Sequence, residues 1–247
     1  MRASKRNKKR ESMTLVCVSL AEQSVTDLVS QADLCKSLGA NLIELRLDKL
    51  KEPISSSILN RLSEIKKDTG LPLILTIRPY WDGGDYKEDE EKRTALLEEA
   101  ITTGFDYIDL ELKMEGNLRD PLIALAKKEE IKTIISYHDF FKTPSWSEIF
   151  ALIKQCKETE GDIAKVVLTS NNFEDVLNVT KGGKTAKDLN HKYTVMGMGS
   201  YGQFTRVLAP LIGCEMVYAA VDPEKKVEDG QVDIRTLLEL WDALENL

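Results

Sequence analysis

Eight short runs of mostly apolar, β-branched residues recur along the chain, at residues 14–20, 42–48, 72–78, 107–112, 132–138, 163–169, 193–197 and 216–221. In most of them the apolar positions are continuous rather than alternating, the pattern of parallel strands buried on both faces. Between the runs the spacing becomes that of amphipathic helices, at residues 25–38, 57–67, 88–102, 118–129, 146–159, 173–189, 204–212 and 232–245. In the first of these, Val25, Leu28, Val29, Ala32, Cys35 and Leu38 share one stripe, and Gly39 supplies a stop. Pro121 suits a first helical turn, and Ser145 with Glu148 has the spacing of a capping box. Eight strand–helix units of about 30 residues each predict an α/β fold, a single-domain (β/α)8 TIM barrel over residues 13–247. The competing architecture, an open doubly wound sheet, usually carries a glycine-rich phosphate loop after its first strand. Here Leu20-Ala21-Glu22-Gln23 follows, without glycine.

In a barrel of this kind chemistry collects at the C-terminal ends of the strands. The second run contains Glu44-Leu45-Arg46-Leu47-Asp48, so a period of two turns Glu44, Arg46 and Asp48 inward if Leu45 and Leu47 face the helices. Three inward charges are costly unless they pair with one another or with a ligand. The first run ends near Ser19. The third ends in Thr76-Ile77-Arg78 and opens the loop Pro79-Tyr80-Trp81-Asp82-Gly83-Gly84, and the fourth carries Asp109 and Glu111. The fifth ends in Ser136-Tyr137-His138-Asp139, which puts one of the two histidines at the mouth. The other, His191, precedes the seventh run at the opposite end and reads as a surface residue. The sixth run, Ile163-Ala164-Lys165-Val166-Val167-Leu168, places a single lysine inside an apolar strand. A lysine is rarely buried without a reason. Desolvation is expected to leave part of its nitrogen as free amine, able to attack a carbonyl. Alternatively Lys165 pairs with Glu44, Asp109 or Glu111 and only holds the barrel together. The residues alone point to a cofactor-free Schiff-base barrel of unspecified substrate.

Composition narrows the setting. The 247 residues are 42% hydrophobic and 30% charged, as in ordinary globular proteins, and no apolar run approaches the roughly 18 residues of a membrane span. Cys17, Cys35, Cys156 and Cys214 lie far apart, so no zinc or redox motif is indicated, and a reducing, cytoplasmic setting is expected. Six basic residues within the first ten give that stretch a charge of +6, leaving the remainder at −13 against −7 for the whole. Residues 1–12 are expected to form a disordered basic leader with no apolar segment of a secretory signal behind it. An acidic body argues against nucleic-acid binding by the folded domain.

Taken together in order, Glu44-x-Arg46-x-Asp48, Thr76-x-Arg78, Ser136-Tyr137-His138-Asp139-Phe140, Asp162-Ile163-Ala164-Lys165, Met196-Gly197 before Thr205-Arg206, and the closing Asp229-Gly230-Gln231 resemble the type I 3-dehydroquinate dehydratase family. The resemblance spans roughly residues 14–235. It implies a (β/α)8 enzyme, commonly dimeric, needing no metal or coenzyme, that turns 3-dehydroquinate into 3-dehydroshikimate for the shikimate pathway of aromatic amino-acid biosynthesis. It further implies that Lys165 forms an imine with the C3 ketone while His138 serves as general base and then general acid. Arg206 resembles the family's carboxylate clamp. Glu44, Arg46 and Arg78 would bind substrate hydroxyls and tune charge, and Ser19 and Gln231 fall at binding positions. Asp82 stands where the family often has a Glu contacting the catalytic histidine, and Thr205 where it often has Ser. The closing loop, Val227-Glu228-Asp229-Gly230-Gln231, replaces a Ser/Ala-rich stretch, and its two acids are expected to repel an anionic substrate. The runner-up function is a class I aldolase or related imine-forming lyase on the same barrel. A non-catalytic binding barrel is the third reading.

Overall fold

The computed structural model describes residues 14–246; the basic leader expected over residues 1–12 lies outside them. Eight parallel strands, β1 (Leu15–Leu20), β2 (Leu42–Arg46), β3 (Leu73–Thr76), β4 (Tyr107–Glu111), β5 (Lys132–Asp139), β6 (Ile163–Thr169), β7 (Lys192–Met198) and β8 (Met216–Ala219), pair in sequence order, and β8 returns to pair with β1. The open-sheet alternative is thereby excluded. At the seam between β7 and β8, Glu215 N donates to Tyr193 O at 2.7 Å and the Thr194 hydroxyl donates to Met216 O at 2.9 Å, so the ring closes through one backbone bond and a side chain.

The double burial inferred from the sequence is realised residue by residue. Val16, Val18, Ile43, Leu45, Leu73, Leu75, Ile108, Leu110, Ala164 and Val166 face outward into the apolar layer beneath the helices. The alternate positions Cys17, Leu42, Ile74, Tyr107, Ile134, Ile163, Met216 and Tyr218 fill the barrel interior. The helices α1 (Val25–Ser37), α2 (Ser56–Ser63), α3 (Ile65–Thr69), α4 (Glu90–Ile101), α5 (Gly116–Lys128), α6 (Trp146–Glu158), α7 (Phe173–Ala186), α8 (Gly199–Ile212) and α9 (Ile234–Glu245) return the chain. Ser24, Asp89, Asn172 and Asp233 cap α1, α4, α7 and α9 by accepting from the third backbone N–H beyond, and Ser145 with Glu148 forms the expected capping box.

Several boundaries differ from the sequence reading. The helix expected over 57–67 is two pieces that meet at Glu64, and Gly70, at φ 70°, ends the second. The helix expected from 204 begins at Gly199, its first turn disguised by Gly-Ser-Tyr-Gly. Pro121 lies beyond the first turn of a helix that starts at Gly116, at the cost of the bond to the Asn117 carbonyl. β2 stops at Arg46 and a 3-10 turn, Leu47–Lys49, carries Asp48. His191, read as a surface residue, is half-buried.

Candidate active site

The strand register stacks the polar residues in levels. Glu111, Ser136, Lys165 and Thr194 align across β4 to β7, while His138 aligns with Val167 and Met196 two residues further toward the mouth. At roughly 3.3 Å per residue along a strand, Lys165 therefore sits deeper than His138 on the neighbouring strand. Lys165 is 5% exposed, and its Nζ lies 2.9 Å from Asp109 Oδ2 and 3.5 Å from Glu44 Oε1. The pairing that sequence reasoning held as an alternative is thus present, with the nitrogen lying between two carboxylates. Both carboxylates are themselves held. Glu44 accepts from Ser19 Oγ at 2.7 Å and Thr76 Oγ1 at 2.9 Å. Asp109 accepts from Ser136 Oγ at 2.6 Å and pairs with Arg78 at 2.8 Å. Arg78 continues to Glu111 at 2.7 Å, whose other oxygen meets Arg93 of α4 at 2.8 Å. Burial alone would raise the carboxyl pKa values. For Asp109 it is outweighed by Arg78 and Lys165, and for Glu44 by Lys165 and Arg46, so both stay below the usual carboxylate range. Glu111 goes the other way, pushed up by burial despite its two arginines.

His138 is oriented from the β3 loop. Its Nδ1 lies 2.7 Å from Asp82 Oδ2, which leaves Nε2 as the nitrogen free to take a proton. Asp82 is a methylene shorter than Glu, and the loop brings it in through the 3-10 turn Tyr80–Asp82. Gly83, at φ 79°, lies so close to Phe140 that a Cβ there would come within 2.3 Å of its ring. That ring stacks on the imidazole with centroids 5.8 Å apart, so the glycine lets loop, phenyl and imidazole pack together. Lys113 donates to the His138 carbonyl at 2.9 Å and lies 3.5 Å from Asp82. Burial and the Arg78 charge lower the His138 pKa more than Asp82 raises it, so the imidazole is neutral at pH 7. Burial would raise Asp82, but the bond to His138 and the charges of His138, Arg78 and Lys113 hold it low.

The third wall comes from α8 and the closing loop. Thr205 accepts from Gly197 N at 2.8 Å and donates to Gly202 O at 2.6 Å, tying α8 to the end of β7. The adjacent Arg206 is fully buried and donates to the carbonyls of Tyr218, Gly197 and Gly202. Among the described residues no carboxylate lies within ion-pair distance of it, and burial lowers it to about 10 with Glu228 and Asp229 resisting. A buried guanidinium without a counter-ion is a ready site for an anion. Gln231 accepts from Val227 N at 2.8 Å and so fixes the closing loop. Of the two loop acids, Glu228 pairs with Arg46 at 3.3 Å, while Arg46 holds Asp48 with two bonds at 2.9 and 3.0 Å.

These walls meet around a narrow cleft of about 30 Å³ at the C-terminal mouth of the barrel. Of the residues anticipated from sequence, Ser19, Glu44, His138, Lys165, Arg206 and Gln231 line it. Arg46 and Asp82 stand behind and hold the lining side chains of Glu228 and His138, while Arg78 holds Asp109 and Thr205 ties α8 to the end of β7. Sequence reasoning missed Tyr218, whose ring centroid lies 4.1 Å from Lys165 Nζ, together with Arg93 and Lys113. An aromatic on a core strand and two basic residues near helix starts carry no local signal of such roles.

Three comparisons bear on this arrangement. The profile of the family described as type I 3-dehydroquinase matches residues 16–247. A 3-dehydroquinate dehydratase from Methanocaldococcus jannaschii is 33% identical over 231 residues, covering 94% of this chain and 99% of that protein. One from Methanosarcina barkeri is 33% identical over 210 residues, covering 84% of this chain and 87% of its own. The structure of a type I 3-dehydroquinate dehydratase from Clostridium difficile, carrying covalently modified comenic acid, superposes with a TM-score of 0.88 at 25% identity, covering 95% of this chain and 93% of that one.

Proposed function

Because this chain belongs to the type I 3-dehydroquinase family, we propose that it removes water from 3-dehydroquinate through a covalent imine on Lys165, with His138 moving the proton. The activity itself, that of a hydro-lyase forming 3-dehydroshikimate, follows from the family and its named relatives. The aldolase alternative is not favoured by them. The observation that carries the mechanism is one cavity shared by the Lys165 amine, the neutral His138 and the Arg206 guanidinium that has no carboxylate partner among the described residues.

The chemistry suits these groups. A substrate carboxylate docks on Arg206. Its ketone reaches Lys165, which loses a proton to solvent, leaves its ion pair with Asp109 and attacks the carbonyl carbon as the free amine, the carbonyl oxygen then leaving as water. The resulting iminium withdraws electrons from the adjacent carbon and acidifies its proton. His138 takes that proton at Nε2 and returns it to the departing hydroxyl. Asp82 stabilises the imidazolium between the two transfers, and hydrolysis of the imine frees Lys165. Glu44 and Arg78 act mainly on charge. Glu44 faces the reacting nitrogen, and Arg78 keeps Asp109 ionised and His138 neutral. The same reading places the enzyme in the shikimate pathway, in the cytoplasm and as a homodimer. Four free, buried cysteines support a reducing compartment. The exposed apolar side chains of Tyr201, Phe204 and Leu211 along α8 and of Phe173 and Leu177 on neighbouring α7 support a partner subunit. Light scattering on the purified protein should give twice the chain mass.

Reduction with borohydride in the presence of 3-dehydroquinate tests the mechanism. An adduct mapped to Lys165, together with growth of the conjugated-enone absorbance, is expected. Enone formation without an adduct would reject the imine, and an adduct without enone would support a barrel that binds but does not turn over.

A further inference from the structure

Lys165 Nζ has three close neighbours: Asp109 at 2.9 Å, Glu44 at 3.5 Å and the ring of Tyr218, centred 4.1 Å away. The two carboxylates are accounted for by ion pairing. The phenol is not accounted for by its polar end. Tyr218 is 4% exposed on β8, and its hydroxyl has no hydrogen-bond partner among the described residues. A buried hydroxyl left unpaired is a cost that an aliphatic side chain would avoid. Burial also drives the phenol well above its ordinary range, with Glu44 and Cys17 adding to the effect, so the hydroxyl is no proton acceptor near neutral pH. What Tyr218 offers the site is its ring, presented face-on to the reacting nitrogen.

We propose that Tyr218 is a further catalytic residue, whose π face carries the positive charge of the Lys165 iminium. The proposal rests on the imine reading and goes beyond it. When the ammonium condenses with a ketone, a C=N bond replaces C=O. The oxygen leaves as water with two of the nitrogen's hydrogens, and one hydrogen and the charge stay behind. Lys165 thus falls from three N–H donors to one. Asp109 and Glu44 can no longer both be hydrogen-bonded to it. Attraction to a ring face needs no N–H, so the Tyr218 contact persists from ammonium to iminium. It vanishes for a neutral imine, and so favours the protonated form that draws electrons from the neighbouring carbon.

The test uses the whole chain with 3-dehydroquinate and borohydride, reading the rate at which the reduced adduct at Lys165 accumulates by mass spectrometry, beside kcat. Tyr218→Leu keeps an apolar wall but loses the π face, and is expected to trap roughly tenfold more slowly, with a parallel fall in kcat. Tyr218→Phe keeps the ring and is expected to restore trapping to within about threefold of the unsubstituted protein. Melting curves show whether the Leu variant folds; if it does not, the Phe variant still decides, because trapping as slow as roughly tenfold below normal would assign the role to the hydroxyl and overturn the proposal. Equal trapping by the Leu variant and the unsubstituted protein would overturn it too, while leaving the imine intact. No adduct in the unsubstituted protein would remove the imine and this proposal together.

Discussion

Lys165 can sit in an apolar strand because Asp109 and Glu44 face it, and those carboxylates are tolerated because Arg78, Ser136, Ser19 and Thr76 face them in turn. Lys165→Met removes the nucleophile, and no enone signal is expected at any substrate concentration. Removing one partner of a buried pair typically costs about 3–5 kcal/mol. Here both carboxylates keep other partners, so a loss of about 1–3 kcal/mol is expected, read from urea unfolding. Activity in this variant would sink the assignment. His138 gives a second prediction. Its pKa is lowered, so the acid limb of kcat/KM should fall below the ordinary imidazole value near 6.5. Asp82 favours the imidazolium, by hydrogen bond and by charge. Asp82→Asn therefore makes the imidazole harder to protonate. The limb should move to still lower pH while kcat drops roughly tenfold, as the intermediate imidazolium loses its counter-ion. A limb shifted to higher pH would contradict the pairing.

At the scale of elements, the strands were legible because burial on both faces leaves a continuous apolar run, and a charge inside such a run stands out. Lys165, Glu44 and His138 were visible for that reason. Helix limits were less so: α8 opens with glycines that mimic a loop, and the break falls at Glu64, a residue type that carries no stop signal. Least legible were contacts between elements far apart in sequence, above all Arg46 of β2 with Glu228 of the closing loop, 182 residues away. One of the acids flagged as repulsive, Glu228, is also a tether. Gly230, at φ 82°, lets the loop lie against Gly199, where a Cβ would come within 2.3 Å of the carbonyl oxygen. Glu228 is 36% exposed, so its pair with Arg46 is worth at most about 1 kcal/mol. Glu228→Gln releases the tether and removes a negative charge from the mouth. KM for the anionic substrate should fall about threefold at low ionic strength and less at 0.5 M salt. A higher KM at low salt would show that Glu228 binds substrate instead.

For the molecule as a whole, the site and the stability of the barrel draw on the same buried charges. Asp109, Glu44 and Asp82 are held below the usual carboxylate range and His138 and His191 below the usual imidazole range. In each case the unfolded chain binds the proton at higher pH than the folded one. The stabilisation is therefore complete above the unfolded pKa and is lost as pH falls through the folded one. The histidines act first, from about pH 6.5 downward, and the carboxylates follow below about pH 4. Glu111, whose pKa is raised, contributes in the opposite sense and partly offsets the carboxylates. Urea midpoints should thus be flat between pH 7 and 8, lower at 5.5 and much lower at 3.5. Because activity requires the same neutral His138, turnover should fade over the first of these two steps, while circular dichroism still reports a folded barrel. Coincident loss of turnover and fold at a single acidic midpoint would show that His138 does not titrate before the carboxylate network that holds Lys165.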